Sequence, residues 1–251
     1  MGKYFDDNHA SPESQLGSEI SSISDSPEVA ALREKEETAE NLLALGDALC
    51  KQLRYKEAIA IFTRLLEDNP DDIEILRRRA ARYLSTLQAQ RARADFLRCL
   101  EMGGDEIDIT YRAGLCSFIL REYSEAMEWF GRCHALCDEE MGIAAIYWHT
   151  LAAYRISAKP ELLSEYHSQM KVGHHTAYEK AVSVFAGAEP ESIDLTALDD
   201  VDYSIAAYGL SGFMATNGDS DSAEKLIKSL LARDSFWISY AYLAAWNDKA
   251  Q

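Results

Sequence analysis

Between Ala39 and Glu140 the chain repeats its own pattern every 34 residues, and a fixed period of that length constrains the fold more than any other feature. In the first copy, 39–72, Leu42, Leu45, Gly46 and Leu49 fall at helical spacing. A turn follows near Arg54 and Tyr55, and Ala58, Phe62 and Leu65 mark a second helix ahead of Asn69 and Pro70. The second copy, 73–106, places Leu76, Ala80 and Tyr83 on its first helix and Ala92, Phe96 and Cys99 on its second. The third, 107–140, carries Ala113, Gly114, Tyr123, Ala126, Phe130 and Cys133. Arginine keeps the same register at Arg64, Arg98 and Arg132. Each copy is expected to be a pair of antiparallel helices that buries one apolar stripe against its partner and the next pair.

Small residues at Gly46, Ala80 and Gly114 stand opposite Ala58, Ala92 and Ala126, with phenylalanine at 62, 96 and 130 expected to fill the space between one pair and the next. This arrangement resembles the tetratricopeptide repeat family. The resemblance implies an all-α fold, a right-handed superhelical solenoid of helix-turn-helix repeats whose first helices line a concave groove. Carried over position by position, that groove takes Leu43, Ala44, Asp47, Cys50 and Lys51 from the first repeat and Arg77, Arg78, Leu84 and Ser85 from the second. The third adds Tyr111, Arg112, Leu115, Phe118 and Ile119, and counting on from Met141 the fourth adds Ile146, His149 and Ala153.

Lys51, Arg77, Arg78, Tyr111, Arg112, Phe118 and His149 are therefore the candidate peptide-binding residues. Arginines fork onto carboxylates while aromatic rings take an apolar side chain. The expected ligand is a protein or peptide segment with acidic residues and one apolar anchor. The alternative for Arg77, Arg78 and Arg79 is a solvated face paired with Glu74. Family members that clamp a chaperone's terminal carboxylate use lysine and asparagine where Leu43 and Asp47 stand, and lysine where Asp108 stands. Only Arg112 fits that clamp here.

Residues 1–25 are rich in serine and acids and are expected to form a disordered tail, one that occupies the basic groove until a partner displaces it. Order is expected from Ser26-Pro27-Glu28, in a helix running through Arg33 to Glu37 into the first repeat. The repeat domain spans 26–251 as one continuous array, with degenerate repeats at 141–172 and 204–235. Proline at 160 places the start of the fourth pair's second helix at Pro160-Glu161, and a shorter helix is expected over Thr176–Phe185. Residues 189–202 hold six acids and no base, and read as a solvated loop or a short helix flanked by loops. A final helix over 236–249, with Phe236, Trp237, Tyr240 and Leu243 inward and one polar face, is expected to cap the array.

Forty-two acids against 25 bases leave a net charge of -17, which repels phosphate and anionic lipid alike, so neither nucleic acid nor a membrane is an expected partner. The N-terminus lacks the apolar stretch of a secretory signal, and Asp6 stands where myristoylation wants a hydroxyl residue, so a cytoplasmic setting is expected. Five cysteines at 50, 99, 116, 133 and 137 lie in helical segments, against a disulfide framework. Cys99, Cys133 and Cys137 offer a metal-binding alternative, but the spacing of paired ligand motifs is missing. His174 and His175 sit at a turn between helices. No catalytic motif occurs, so no enzyme activity and no cofactor are expected. A second alternative is a secretion-type chaperone for an unfolded client, although the pattern runs on past the three repeats typical of those.

Overall fold

The computed structural model describes residues 24–233 and 239–250. The described residues are all-α, with twelve helices and no strand. The chain divides between Asp105 and Glu106 into two compact units. The first holds α1 (Pro27–Arg33), α2 (Ala39–Lys51), α3 (Tyr55–Asp68), α4 (Ile73–Ser85) and α5 (Ala89–Glu101). The second holds α6 (Glu106–Ile119), α7 (Tyr123–Leu136), α8 (Glu139–Arg155), α9 (Thr176–Phe185), α10 (Asp200–Thr216), α11 (Ser220–Leu231) and α12 (Tyr240–Lys249). No helix among the described residues is long and apolar enough to cross a membrane. The acidic tail lies outside the described residues except for Ser24 and Asp25.

Local chemistry explains where the helices start. Ser26 Oγ accepts the Val29 amide at 3.2 Å with Pro27 in the first turn, so α1 begins where its cap and proline dictate. It stops at Arg33, short of the expected continuous run to Glu37. Thr38 Oγ1 accepts the Asn41 amide at 3.2 Å and opens α2 as a separate helix.

The three paired units share a turn that composition does not announce. Leu53, Leu87 and Arg121, one period apart, adopt φ of 60°, 58° and 64°. In each, the next residue's amide turns back to the preceding helix: Arg54 to the Leu49 carbonyl, Gln88 to Tyr83 and Glu122 to Ser117, at 2.8–3.0 Å. The conformation is uncommon for residues with a Cβ and is held by that backbone hydrogen bond. The recurring arginines close the same units from outside. Arg64 pairs with Glu37, Arg98 with Asp71 and Arg132 with Glu106, in each case an acid just ahead of or within the first turn of the pair's first helix. All are substantially exposed, so the recurrence marks register more than stability.

The phenylalanines lie within their pairs. A Cβ on Gly46 would stand 2.5 Å from the Phe62 ring, and one on Gly114 would stand 2.6 Å from the Phe130 ring. The missing side chain thus lets the ring of the second helix close on the backbone of the first.

In the second unit the pattern loosens. Every residue from Gly142 to Ala153 of α8 is buried, because this stretch carries no charge on any side. The second helix expected from Pro160 is only a 3₁₀ turn, Glu161–Glu165, none of whose residues is buried. Without an apolar stripe to dock, it cannot extend. The helix that follows α8 in packing order is α9. Between Glu189 and α10, two 3₁₀ turns flank Ile193, which joins Val184, Ala206 and Leu210 in a small core. The last helix is no polar cap. Ala241 through Asn247 are all buried against α6, α10 and α11, while Phe236 and Trp237 lie outside the described residues.

Candidate functional site

In the first unit the inner faces of α2 and α4 carry the residues expected to line a groove. Arg78, one-third exposed, bonds Asp47 Oδ1 at 2.5 Å, with Glu74 3.1 Å away on the other side. Lys51 is mostly exposed and pairs with Glu28 of α1 at 2.9 Å, which raises its pKa. Arg77 is half-buried. Cys50 completes the face: burial pushes its thiol up, opposed by the nearby charges of Arg82 and Arg78.

Arg82 also lies 4.6 Å over the Tyr55 ring. It falls outside the groove positions that the resemblance supplies, yet it stands one helical turn on from Arg78 on the same side. That spacing was the available signal for it. Arg79 faces elsewhere and is locked to Asp95 of α5 by two bonds of 2.8 and 2.9 Å. The arginine run of α4 is therefore split between a presented face and an interior pair.

The second unit treats its share of the expected groove differently. Tyr111 is buried, its hydroxyl accepting Trp148 Nε1 at 3.0 Å with Tyr178 Oη 3.5 Å away, and burial pushes its pKa well up. Phe118 is 3% exposed and meets Trp148 and Tyr123 edge-on, with centroids 5.0 and 5.3 Å apart. Arg112 holds Asp108 at 2.8 Å and donates to the Tyr240 hydroxyl of α12. His149 is 5% exposed, and burial pulls its pKa down to about 4, so the ring is neutral near pH 7.

Tyr111, Phe118 and His149 are not presented to a ligand, a correction to the expectation of an open wall, while Arg112 keeps partial exposure but is engaged by Asp108 and Tyr240. The reason is that α8 carries no charge from Gly142 to Ala153 and that α9, α10 and α12 supply Tyr178, Tyr208 and Tyr240 against those residues. A cleft of about 500 Å³ remains near the C-terminal ends of α8 and α10, lined by Leu151, Tyr154, Arg155, Gly212, Ile227 and Asp248 among others.

The buried thiols of Cys99 and Cys133 each donate weakly to the carbonyl near the start of their own pair, Ile73 at 3.5 Å and Ile107 at 3.8 Å. The neighbouring Cys137 thiol, together with burial, holds the Cys133 thiol well above the usual range, and Cys137 itself donates weakly to the His134 carbonyl at 3.8 Å. In these places the thiols serve as small apolar side chains with a weak donor.

The comparisons with known proteins bear on the same region. A family model described as "Tetratricopeptide repeat" matches residues 39–83. Hsp70-Hsp90 organizing protein 3 of Arabidopsis thaliana is 28% identical over 83 residues, which is 33% of this chain and 15% of that protein. Hsp70-Hsp90 organizing protein of Triticum aestivum is 30% identical over 83 residues, 33% of this chain and 14% of that protein. The match thus spans about a seventh of the length of either relative. Among solved structures, a tetratricopeptide repeat protein from Parabacteroides merdae ATCC 43184 superposes with a TM-score of 0.59 and 15% identity, covering 94% of this chain and 99% of that one.

Proposed function

Since this chain belongs to the tetratricopeptide repeat proteins, we propose that it is a non-catalytic scaffold holding a segment of another polypeptide on the α2–α4 face. The observation that carries this reading is the half-exposed cluster of Arg77, Arg78 and Arg82 beside the exposed Lys51, on a protein whose net charge is -17. The segment it suits is acidic. A ligand carboxylate exchanges with Asp47 or Glu74 for the Arg78 guanidinium, and swapping one exposed ion pair for another costs little. Fixed helices supply the preorganisation, so the ligand alone is ordered on binding. Leu43 and Ala44, beside Asp47, provide the apolar ground for an anchor residue.

The two matched relatives are named for organizing Hsp70 and Hsp90. Leu43 and Asp47 stand where a carboxylate clamp needs lysine and asparagine, so that partner is not carried over.

The test is titration of the full chain with a panel of fluorescent peptides, acidic and charge-neutral, each with one apolar residue. Micromolar binding confined to acidic members is expected, weakened at least tenfold in Arg78→Glu and Arg82→Glu. Equal affinity for both peptide classes, or unchanged affinity in both variants, overturns the reading.

A further inference from the structure

We propose that Glu140, His174 and His175 form a binding site for a divalent transition-metal ion of the zinc type, fastening the 156–175 loop to the start of α8. This inference is independent of the peptide-binding face. The ligand atoms of the three residues lie within 4.8 Å of one another. His174 Nδ1 is 2.5 Å from Glu140 Oε1, and His175 Nδ1 is 2.6 Å from the Glu140 carbonyl.

The second contact orients a metal ligand. With Nδ1–H donated to a carbonyl, the neutral His175 ring carries its lone pair on Nε2, the arrangement by which an outer partner sets the tautomer of a ligating histidine. Two imidazoles and a carboxylate are a donor set for zinc-like ions and leave a fourth position open. His174 is 81% exposed, so its side faces that open position.

The backbone is shaped for this approach. Gly173 has φ +52°, and a Cβ there would stand 2.3 Å from the Glu140 carboxyl carbon. A side chain at 173 would push that carboxylate aside. The site lies at the positive end of the α8 dipole, which disfavours a cation. Asp138, Glu139 and Glu140 together outweigh that partial charge, and Glu139 fixes the loop further through the Lys171 amide at 2.7 Å.

Metal–ligand bonds of about 2.0–2.2 Å put neighbouring donors more than 3 Å apart, so His174 and Glu140 must open by about 1 Å. The exposed His174 ring is free to do so, and moving its proton from Nδ1 to Nε2 gives the ion the Nδ1 lone pair with no net change of charge. The loop has a use for such a staple, since none of residues 161–165 is buried.

Tag-free full-length protein, stripped with chelator, is titrated calorimetrically with zinc chloride. One equivalent binding in the micromolar range or tighter is expected, weakened at least tenfold in each of His174→Ala, His175→Ala and Glu140→Gln. Cobalt substitution should show ligand-field absorption without a thiolate charge-transfer band. Absence of stoichiometric binding, affinity unchanged in all three variants, or a thiolate band each overturns the proposal.

Discussion

Asn247 Nδ2 donates to the main-chain carbonyl of Ile119 at 3.0 Å, tying the last helix to the end of α6 across 128 positions. The carbonyls at a helix C-terminus lack intrahelical partners, and here a buried side chain from a distant helix satisfies one of them. Asn247→Leu should cost about 1–3 kcal/mol, the range for leaving a buried polar group without its bond. Urea unfolding monitored by circular dichroism measures it. A variant as stable as the parent would mean that α12 is held by apolar contacts alone.

The Trp148–Tyr111 bond makes a second, separable prediction. Tyr111→Phe keeps the ring and its packing but leaves the buried Trp148 Nε1 without its acceptor at 3.0 Å. A loss of about 1–3 kcal/mol is expected, with the fold retained. Unchanged stability would indicate that the indole finds another acceptor.

The buried His149 ring predicts a pH dependence of stability. Its folded pKa of about 4 lies below the ordinary value of 6.5, so the fold prefers the neutral ring and the unfolded chain takes the proton first. The contribution is full above pH 6.5 and is lost as pH falls towards 4, by up to about 3 kcal/mol. His149→Leu should flatten that part of the curve. The comparison is the difference in unfolding free energy between parent and variant at pH 7 and pH 4.5, since carboxylates titrate in both.

Two arginine pairs should differ sharply in weight. Arg79 and Asp95 are 17% and 12% exposed and meet through two bonds, whereas Arg98 and Asp71 are 47% and 65% exposed. Asp95→Ala should cost about 3 kcal/mol because it strands a largely buried guanidinium. Asp71→Ala should cost under about 0.5 kcal/mol. Comparable losses in the two variants would contradict the burial difference.

How far the residues themselves foretold the site depends on how local each signal was. The arginine run of α4 pointed to a basic face, but which of Arg77, Arg78 and Arg79 is presented depends on Asp95 of α5, a partner that helical spacing alone does not name. Arg82 is readable as the next turn after Arg78, although the groove positions that the resemblance implies do not include it. The left-handed residues Leu53, Leu87 and Arg121 left no compositional mark, since the turn is held by backbone bonds and not by glycine. His174 and His175 looked like an ordinary exposed turn because Glu140, more than thirty residues earlier, becomes their neighbour only once the loop folds back.

What the order of amino acids determined alone was the helical pairing from Ala39 to Glu140. Those contacts join residues close in sequence, so a 34-residue period of small and large side chains encodes them directly. Tertiary structure decided which of those faces stay open. Tyr111, Phe118 and His149 sit at positions that a repeat would present, yet in the second unit the charge-free middle stretches of α8, α10 and α12 pack together and take those side chains inside. Burial of that kind is set by elements as far apart as Ile119 and Asn247, and a local pattern carries no record of which distant apolar helix will cover it.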